Sequence, residues 1–286
     1  MLDELNTRTK QVHLEELENR NGERTVIPFP KARIRIRPVQ PPLMRVIDIA
    51  GGLVGTVIGL PFILLAMLAI WLEDRHTPFY VAERIGAGGK PFRFIKLRSI
   101  SMRKQVRPDE IISARDPRIS RLGHFLRASK IDELPQFWHV LSGQMSLVGP
   151  RANVRSIVDA FTEEERRIVS IKPGITDLAS IVFMNLGKVL EHSENPKLDY
   201  NRLVRPWKSR LALIYVDNPS VTLALQTMWL TFLAFIDQDR ALKGVARIAE
   251  KYQSDPKLSE AIVSRDRLEP YPPPGASEVI TSLQAS

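Results

Sequence analysis

Residues 46–72 read VIDIAGGLVGTVIGLPFILLAMLAIWL, an apolar run whose single charge, Asp48, stands near its start. A bilayer's hydrocarbon core needs about 20 such residues, so the run is long enough to reach across one. It has no polar face of the kind a helix on a soluble core would show. Basic residues flank both ends: Lys31, Arg33, Arg35, Arg37 and Arg45 before it, and Arg75, Arg84, Lys90, Arg93, Lys96 and Arg98 after it. Lysine and arginine near a span stay on the cytosolic side, so these flanks do not send the two ends to opposite compartments. Pro61, near the middle, removes a backbone donor and crowds the preceding turn, while Gly51, Gly52, Gly55 and Gly59 loosen the half before it. We therefore expect a helix broken at Pro61 that enters and leaves by one face, with a single kinked anchor as the alternative.

The rest of the chain sets wider bounds. Its 286 residues, 44% of them hydrophobic, suffice to bury a core, and a formal net charge of +9 favours anionic partners. Nucleic acid, a lipid surface and a phosphorylated small molecule all meet that description. With no cysteine, disulfides, thiolate metal sites and a cysteine nucleophile are excluded. The first 24 residues are charged and lack the apolar centre of a cleavable signal, so we expect the N-terminus to stay in the cytosol. Residues 1–40, where charge alternates with Pro28, Pro30 and Pro38, read as a flexible extension.

After the apolar run, FYVAERI and FRFIKLRSI around GAGGK predict a β-hairpin. Leu122, Phe125 and Leu126, then Phe137, Val140 and Leu141, fall at helical spacing and predict two short helices. Ser129 with Asp132 has the S-x-x-D form of a capping box, and Pro135 is tolerated only in a first turn. That reading puts Asp132 and Glu133 at a helix N-terminus. A further helix is expected from Thr162, with Glu165 three residues on, ending before KPGIT. The run VTLALQTMWLTFLAFI suits a helix packed on the core or lying in a membrane interface, where Trp229 and Trp207 would sit at headgroup level. The end, EPYPPPGASEVITSLQAS, reads as a loose tail.

The chemistry concentrates at Asp132 and Glu133, adjacent carboxylates among Lys96, Arg98, Arg118, Arg121, Arg127, Lys130 and Arg151. Cations neutralise phosphate oxygens while a carboxylate attacks or holds a metal, so the pattern suits pyrophosphate chemistry. Capping carboxylates beside a solvated basic face would look the same. His76, His124, His139 and His192 lack metal-site spacing, and Ser142 and Ser146 lack a nucleophile-elbow context. Phe92, Arg93, Phe94 and Arg98 could be an aromatic and basic strand for nucleic acid, but a hairpin with one packed face explains them equally well.

The order RVIDIAGG…LPF, ERIGAGGKPFRFIKLRSI, DPRISRLGHFLRASKIDELPQFWHVLSGQMSLVGPR, KPGIT and IYVDN resembles the bacterial sugar transferase family, monotopic phosphoglycosyl transferases acting on polyprenyl phosphate. It covers about residues 45–236, and DELPQ followed by SLVGPR is its most specific part. The resemblance implies a mostly helical α+β (α/β) fold: a re-entrant membrane helix (41–75), a small cytosolic catalytic domain (76–240) with a short hairpin and amphipathic interfacial helices, and a C-terminal extension (241–286). It implies transfer of a sugar phosphate from a UDP-sugar to undecaprenyl phosphate at the inner membrane, in exopolysaccharide, capsule or O-antigen synthesis, with no nucleic acid partner. Asp132 would be the nucleophile and Glu133 its assistant. Both would hold Mg2+, while Arg127, Arg151, Lys96 and Arg98 would hold phosphate and Pro61 would break the membrane helix. The chain departs from the commoner pattern at DLASI after KPGIT and at Ala152 after VGPR. Self-association into a homo-oligomer is left open, and a non-catalytic anchor or scaffold is the alternative.

Overall fold

The computed structural model describes residues 40–102, 116–184, 186–190, 193–252, 255–265 and 267–282, and two short strands nearer the N-terminus. Those strands, β1 (Leu17–Glu18) and β2 (Arg24–Thr25), pair antiparallel within a unit spanning Met1–Ile34. Otherwise the extension expected over residues 1–40 lies outside the described residues, as does His192. All that follows concerns the second unit, Arg35–Ser286.

Helix α1 (Pro42–Asp74) is continuous over 33 residues, about 50 Å at 1.5 Å per residue. Pro61 lies inside it and takes the helical partner from the Val57 carbonyl without ending the helix. Its neighbours hold it. Met44, Asp48, Gly52, Gly59, Ala66, Ile70 and Asp74 form a buried stripe along its whole length, while Leu53, Val57, Leu60, Leu64, Leu68 and Leu72 are exposed. Polar bonds fasten each end. Arg45 donates to the carbonyls of Val140 and Leu141, both at 2.7 Å, and Asp48 accepts from the Ser146 hydroxyl at 2.9 Å and the Leu147 amide at 2.8 Å. At the far end Asp74 pairs with Arg98.

The middle of the stripe is held by close approach. A Cβ on Gly55 would lie 2.5 Å from two Phe137 ring carbons. Alanine for glycine ordinarily stabilises a helix by about 1 kcal/mol. Here Gly55→Ala is expected to cost about 1–3 kcal/mol through overpacking. Thermal unfolding in detergent reads the sign, and a gain would mean that α1 is not seated on Phe137.

Strands β3 (Phe79–Ile85) and β4 (Pro91–Leu97) form the expected antiparallel hairpin, registered Tyr80 to Lys96, Ala82 to Phe94 and Arg84 to Phe92. Gly88 and Gly89, with φ of 69° and 74°, supply the left-handed turn. Helices α2 (Arg121–Ser129) and α3 (Gln136–Leu141) follow, then β5 (Ser146–Val148), which pairs in parallel with β6 (Gly174–Thr176). Between these strands lie α4 (Arg155–Asp159) and a 3-10 turn, Glu165–Ser170. The predicted cap is present, since Thr162 Oγ1 accepts from the Glu165 amide and Glu165 accepts from the Thr162 amide, but a 3-10 turn replaces the α-helix. Glu165 is wholly buried and bonded to Arg205 and Ser209, and these demands bend the segment away from a regular helix.

The remaining elements are helices: α5 (Leu178–Val182), α6 (Leu186–Val189), α7 (Pro196–Asp199), α8 (Arg205–Asp217), α9 (Val221–Ile236), α10 (Gln238–Tyr252) and α11 (Pro256–Val263). Trp207, Leu211, Ile214 and Tyr215 of α8 anchor the core, packed with Leu178, Ile181, Leu223, Ala241, Val245 and Leu258. Trp207 is thus a core residue, whereas Trp229 is 60% exposed on an apolar strip of α9 with Leu225, Phe232 and Ile236.

The tail is docked rather than loose. Tyr271 stacks on Trp207 at 4.4 Å between centroids, with the Arg210 guanidinium 4.7 Å from the Tyr271 centroid. Arg210 also donates to the Pro272 carbonyl, and Thr162 to that of Pro274. Proline has little conformational freedom to lose, so a proline-rich strap with one aromatic anchor is readily held.

Candidate active site

Two short helices meet at the site, and the backbone between them is unusual. Lys130 ends α2 in the left-handed region, φ 59°, and a one-turn 3-10 segment, Ile131–Glu133, leads through Pro135 into α3. Ser129 does not cap this start. Its hydroxyl donates back to the Phe125 carbonyl at 2.8 Å, closing the last turn of α2. Asp132 and Glu133 still occupy a first turn, as the sequence suggested.

Their surroundings divide the two carboxylates. Asp132 is 4% exposed and its Oδ1 is buried without a hydrogen-bond partner. Burial pushes its pKa up to about 6, with Glu133 adding to the rise and Lys96, Lys130 and Arg127 opposing it. Glu133 accepts from Arg151 at 2.9 Å. Burial would raise its pKa too, but Arg151, Lys130 and Lys96 outweigh that and hold it below the usual carboxylate value. Arg151 is itself fixed, donating to the Ile175 carbonyl and to Gln136 Oε1.

The cations named from the sequence part company here. Lys96 lies on the inner face of β4 with its ammonium over the Tyr80 ring at 5.1 Å. Arg127 donates through Nε to Ser99 at 2.7 Å. Burial lowers both pKa values, and the Asp132 charge offsets it in each. Both therefore belong with the dyad and Arg151. Arg98 does not. It is 5% exposed and bonded to both Asp74 oxygens, at 2.5 and 2.6 Å, and to the carbonyls of Thr77 and Ile100. Arg118 likewise pairs with Asp116 at 2.6 Å.

Residues without a role in the sequence reading also shape the site. Gln136, fully buried, steadies Arg151 from the first turn of α3, although it stands in the DELPQ run. His139 accepts from the Ile95 amide and contacts Gln144, tying the hairpin to α3 as a core residue. Asp177, the first residue of DLASI, caps α5 through a capping box with Ser180. It also lines a shallow cleft whose walls include Arg151, Asn153, Tyr200 and Lys208. Two carboxylates with one partnerless oxygen match what magnesium takes from a protein when substrate phosphates complete its shell. Among the described residues no group of three or more acidic or histidine ligands gathers.

A basic, phosphate-suited pocket with one isolated carboxylate, seated against a helix long and apolar enough to cross a membrane, is the outline of a membrane-associated transferase. The model of the bacterial sugar transferase family matches residues 39–238, and the chain belongs to that family. A Bacillus subtilis protein provisionally named an undecaprenyl-phosphate N-acetylgalactosaminyl 1-phosphate transferase is 40% identical over 122 residues, 43% of this chain and 68% of the relative. The UDP-glucose:undecaprenyl-phosphate glucose-1-phosphate transferase of Caulobacter vibrioides is 37% identical over 158 residues, 54% of this chain and 57% of the relative. The UDP-N-acetylgalactosamine-undecaprenyl-phosphate N-acetylgalactosaminephosphotransferase of Aeromonas hydrophila is 34% identical over 150 residues, 51% of this chain and 35% of the relative. The chain thus spans less than two thirds of the latter two.

Proposed function

We propose that the protein transfers a sugar 1-phosphate from a UDP-sugar to undecaprenyl phosphate through a covalent intermediate on Asp132. The observation that carries this reading is the division of the dyad: Asp132 is desolvated, with Oδ1 lacking a hydrogen-bond partner, while Glu133 is locked to Arg151. A carboxylate stripped of hydrogen bonds is a stronger nucleophile than a solvated one, and a pKa near 6 leaves it ionised at neutral pH.

In the first step an Asp132 oxygen bonds to the phosphorus bearing the sugar, the bridging P–O bond breaks, and UMP leaves. In the second, a phosphate oxygen of the lipid bonds to that phosphorus and the aspartyl C(O)O–P bond breaks, freeing the carboxylate. Lys96, Arg127 and Arg151 offset charge on the phosphate oxygens. Glu133, held ionised, serves as a positioning group more readily than as a base. Asp132 and Glu133 would hold magnesium together with donor phosphates, where it would supply further charge neutralisation.

The membrane arrangement follows from α1. Its two ends are fastened to one body, through Arg45 and Asp48 at one and Asp74 at the other, which supports entry and exit by the same, cytosolic face. The exposed apolar strip of α9 supports an interfacial seat for that helix.

Purified protein in detergent, given magnesium, undecaprenyl phosphate and a panel of UDP-sugars, is expected to release UMP in a lipid-dependent manner. Because the nucleophile must be ionised, kcat/KM should fall about tenfold per pH unit below about 6. Release that needs no lipid would point to hydrolysis instead, and a flat profile down to pH 4 would remove Asp132 from the nucleophile's role.

A further inference from the structure

The inner face of the hairpin carries a second cation. Val81 and Glu83 are exposed, whereas Tyr80, Ala82 and Arg84 turn inward opposite Lys96, Phe94 and Phe92. Arg84 lies four residues along the strand from the Tyr80–Lys96 pair, about 13 Å at 3.3 Å per residue. The next residue, Ile85, donates its amide to the Asn153 carbonyl at 2.9 Å, which brings Arg84 alongside the segment that carries Arg151.

Arg84, half-buried, lacks the partners such an arginine normally has. Its Nε is buried without a partner, its guanidinium lies over the Phe94 ring at 5.7 Å, and among the described residues no carboxylate pairs with it. Burial lowers its pKa, and the like charge of Arg151 lowers it further. Arg151 has Glu133 as its counter-ion, but Arg84 has none among the described residues, and a second cation beside the first is costly unless an anion joins it. Arg151 also lines a shallow cleft with Asn153, Asp177, Tyr200 and Lys208. Its walls mix these polar groups with Ile157, Phe161, Ile168 and Ala212. A polyprenyl chain needs an apolar track, and the exposed apolar surface lies instead along α1 and α9.

We propose that Arg84 and Arg151 form a phosphate subsite for the nucleoside-side phosphate of the donor. This rests on the transferase reading above. Arg84→Met keeps the apolar stem and removes a half-buried, unpaired charge, so the fold is retained. UMP binding, measured by calorimetry on the full chain in detergent, should weaken at least tenfold, and the KM for the UDP-sugar should rise by a similar factor. The KM for undecaprenyl phosphate should stay unchanged, and Arg84→Lys should recover part of the loss. Undiminished UMP binding in Arg84→Met would overturn the proposal, as would a rise confined to the lipid KM, which would give Arg84 to the acceptor phosphate. If the native protein bound UMP in an Arg84-dependent way yet transferred nothing to lipid, the subsite would stand and the transferase reading would fall.

Discussion

Asp132→Asn is expected to reduce transfer by at least about a thousandfold, as loss of a nucleophile does, and yet to make the protein harder to unfold at pH 8. The two effects share one cause. Asp132 is buried with an unpartnered oxygen, so its pKa in the folded protein, about 6, lies above the unfolded value of 3.8. A group raised in this way favours folding when protonated. Its contribution is fully present below about pH 4 and is lost as pH climbs through 6. At pH 8 the ionised carboxylate therefore costs the fold up to roughly 3 kcal/mol, about two pKa units. Asparagine carries no charge at any pH and removes that cost. Thermal unfolding across pH 4 to 8 should show the variant gaining several degrees at the alkaline end, with the gain vanishing at the acid end. A variant both inactive and less stable at pH 8 would make Asp132 a structural partner instead.

Arg98→Ala is expected to lower stability by about 3–5 kcal/mol, the usual consequence of leaving one member of a buried ion pair alone. Asp74, 6% exposed, would keep the amides of His76 and Met102, at 3.2 and 3.3 Å, and the His76 ring at 3.7 Å, but no arginine. The C-terminal end of α1 would then loosen from Leu97 and Leu126. Lys96→Ala, two residues away, should unfold near the native temperature while losing activity. If Arg98→Ala remained as stable as the native protein and failed only in catalysis, its assignment as the clamp of α1 would be wrong.

That contrast explains what could be read from the chain and what could not. Residues two apart in a strand share a face, so Lys96 and Arg98 looked equivalent. The strand stops at Leu97, and Arg98 turns away to Asp74. The hairpin itself was legible, because two β-rich runs surround a glycine turn, and so were α2 and α3 from their apolar spacing. The S-x-x-D pattern misled because a serine closing one helix and a serine opening the next have the same spacing to Asp132. Arg84 gave no signal of its own. Only the register against Phe92 and the bridge from Ile85 to Asn153 turn it toward Arg151. The proline-rich tail has the composition of a free end, and its anchorage needs Trp207, 64 positions earlier in the sequence, to be in place.

The fastening of α1 also sets an order of events during synthesis. Asp48 is bound by Ser146 and Leu147, 98 and 99 residues further on, and Arg45 by carbonyls 95 and 96 residues on. At about 5–20 residues per second, α1 leaves the ribosome roughly 5 to 20 seconds before these partners exist. Through that interval the aspartate lacks its partners and the buried stripe of α1 lacks the surface it packs on, so the body assembles onto a helix made before it.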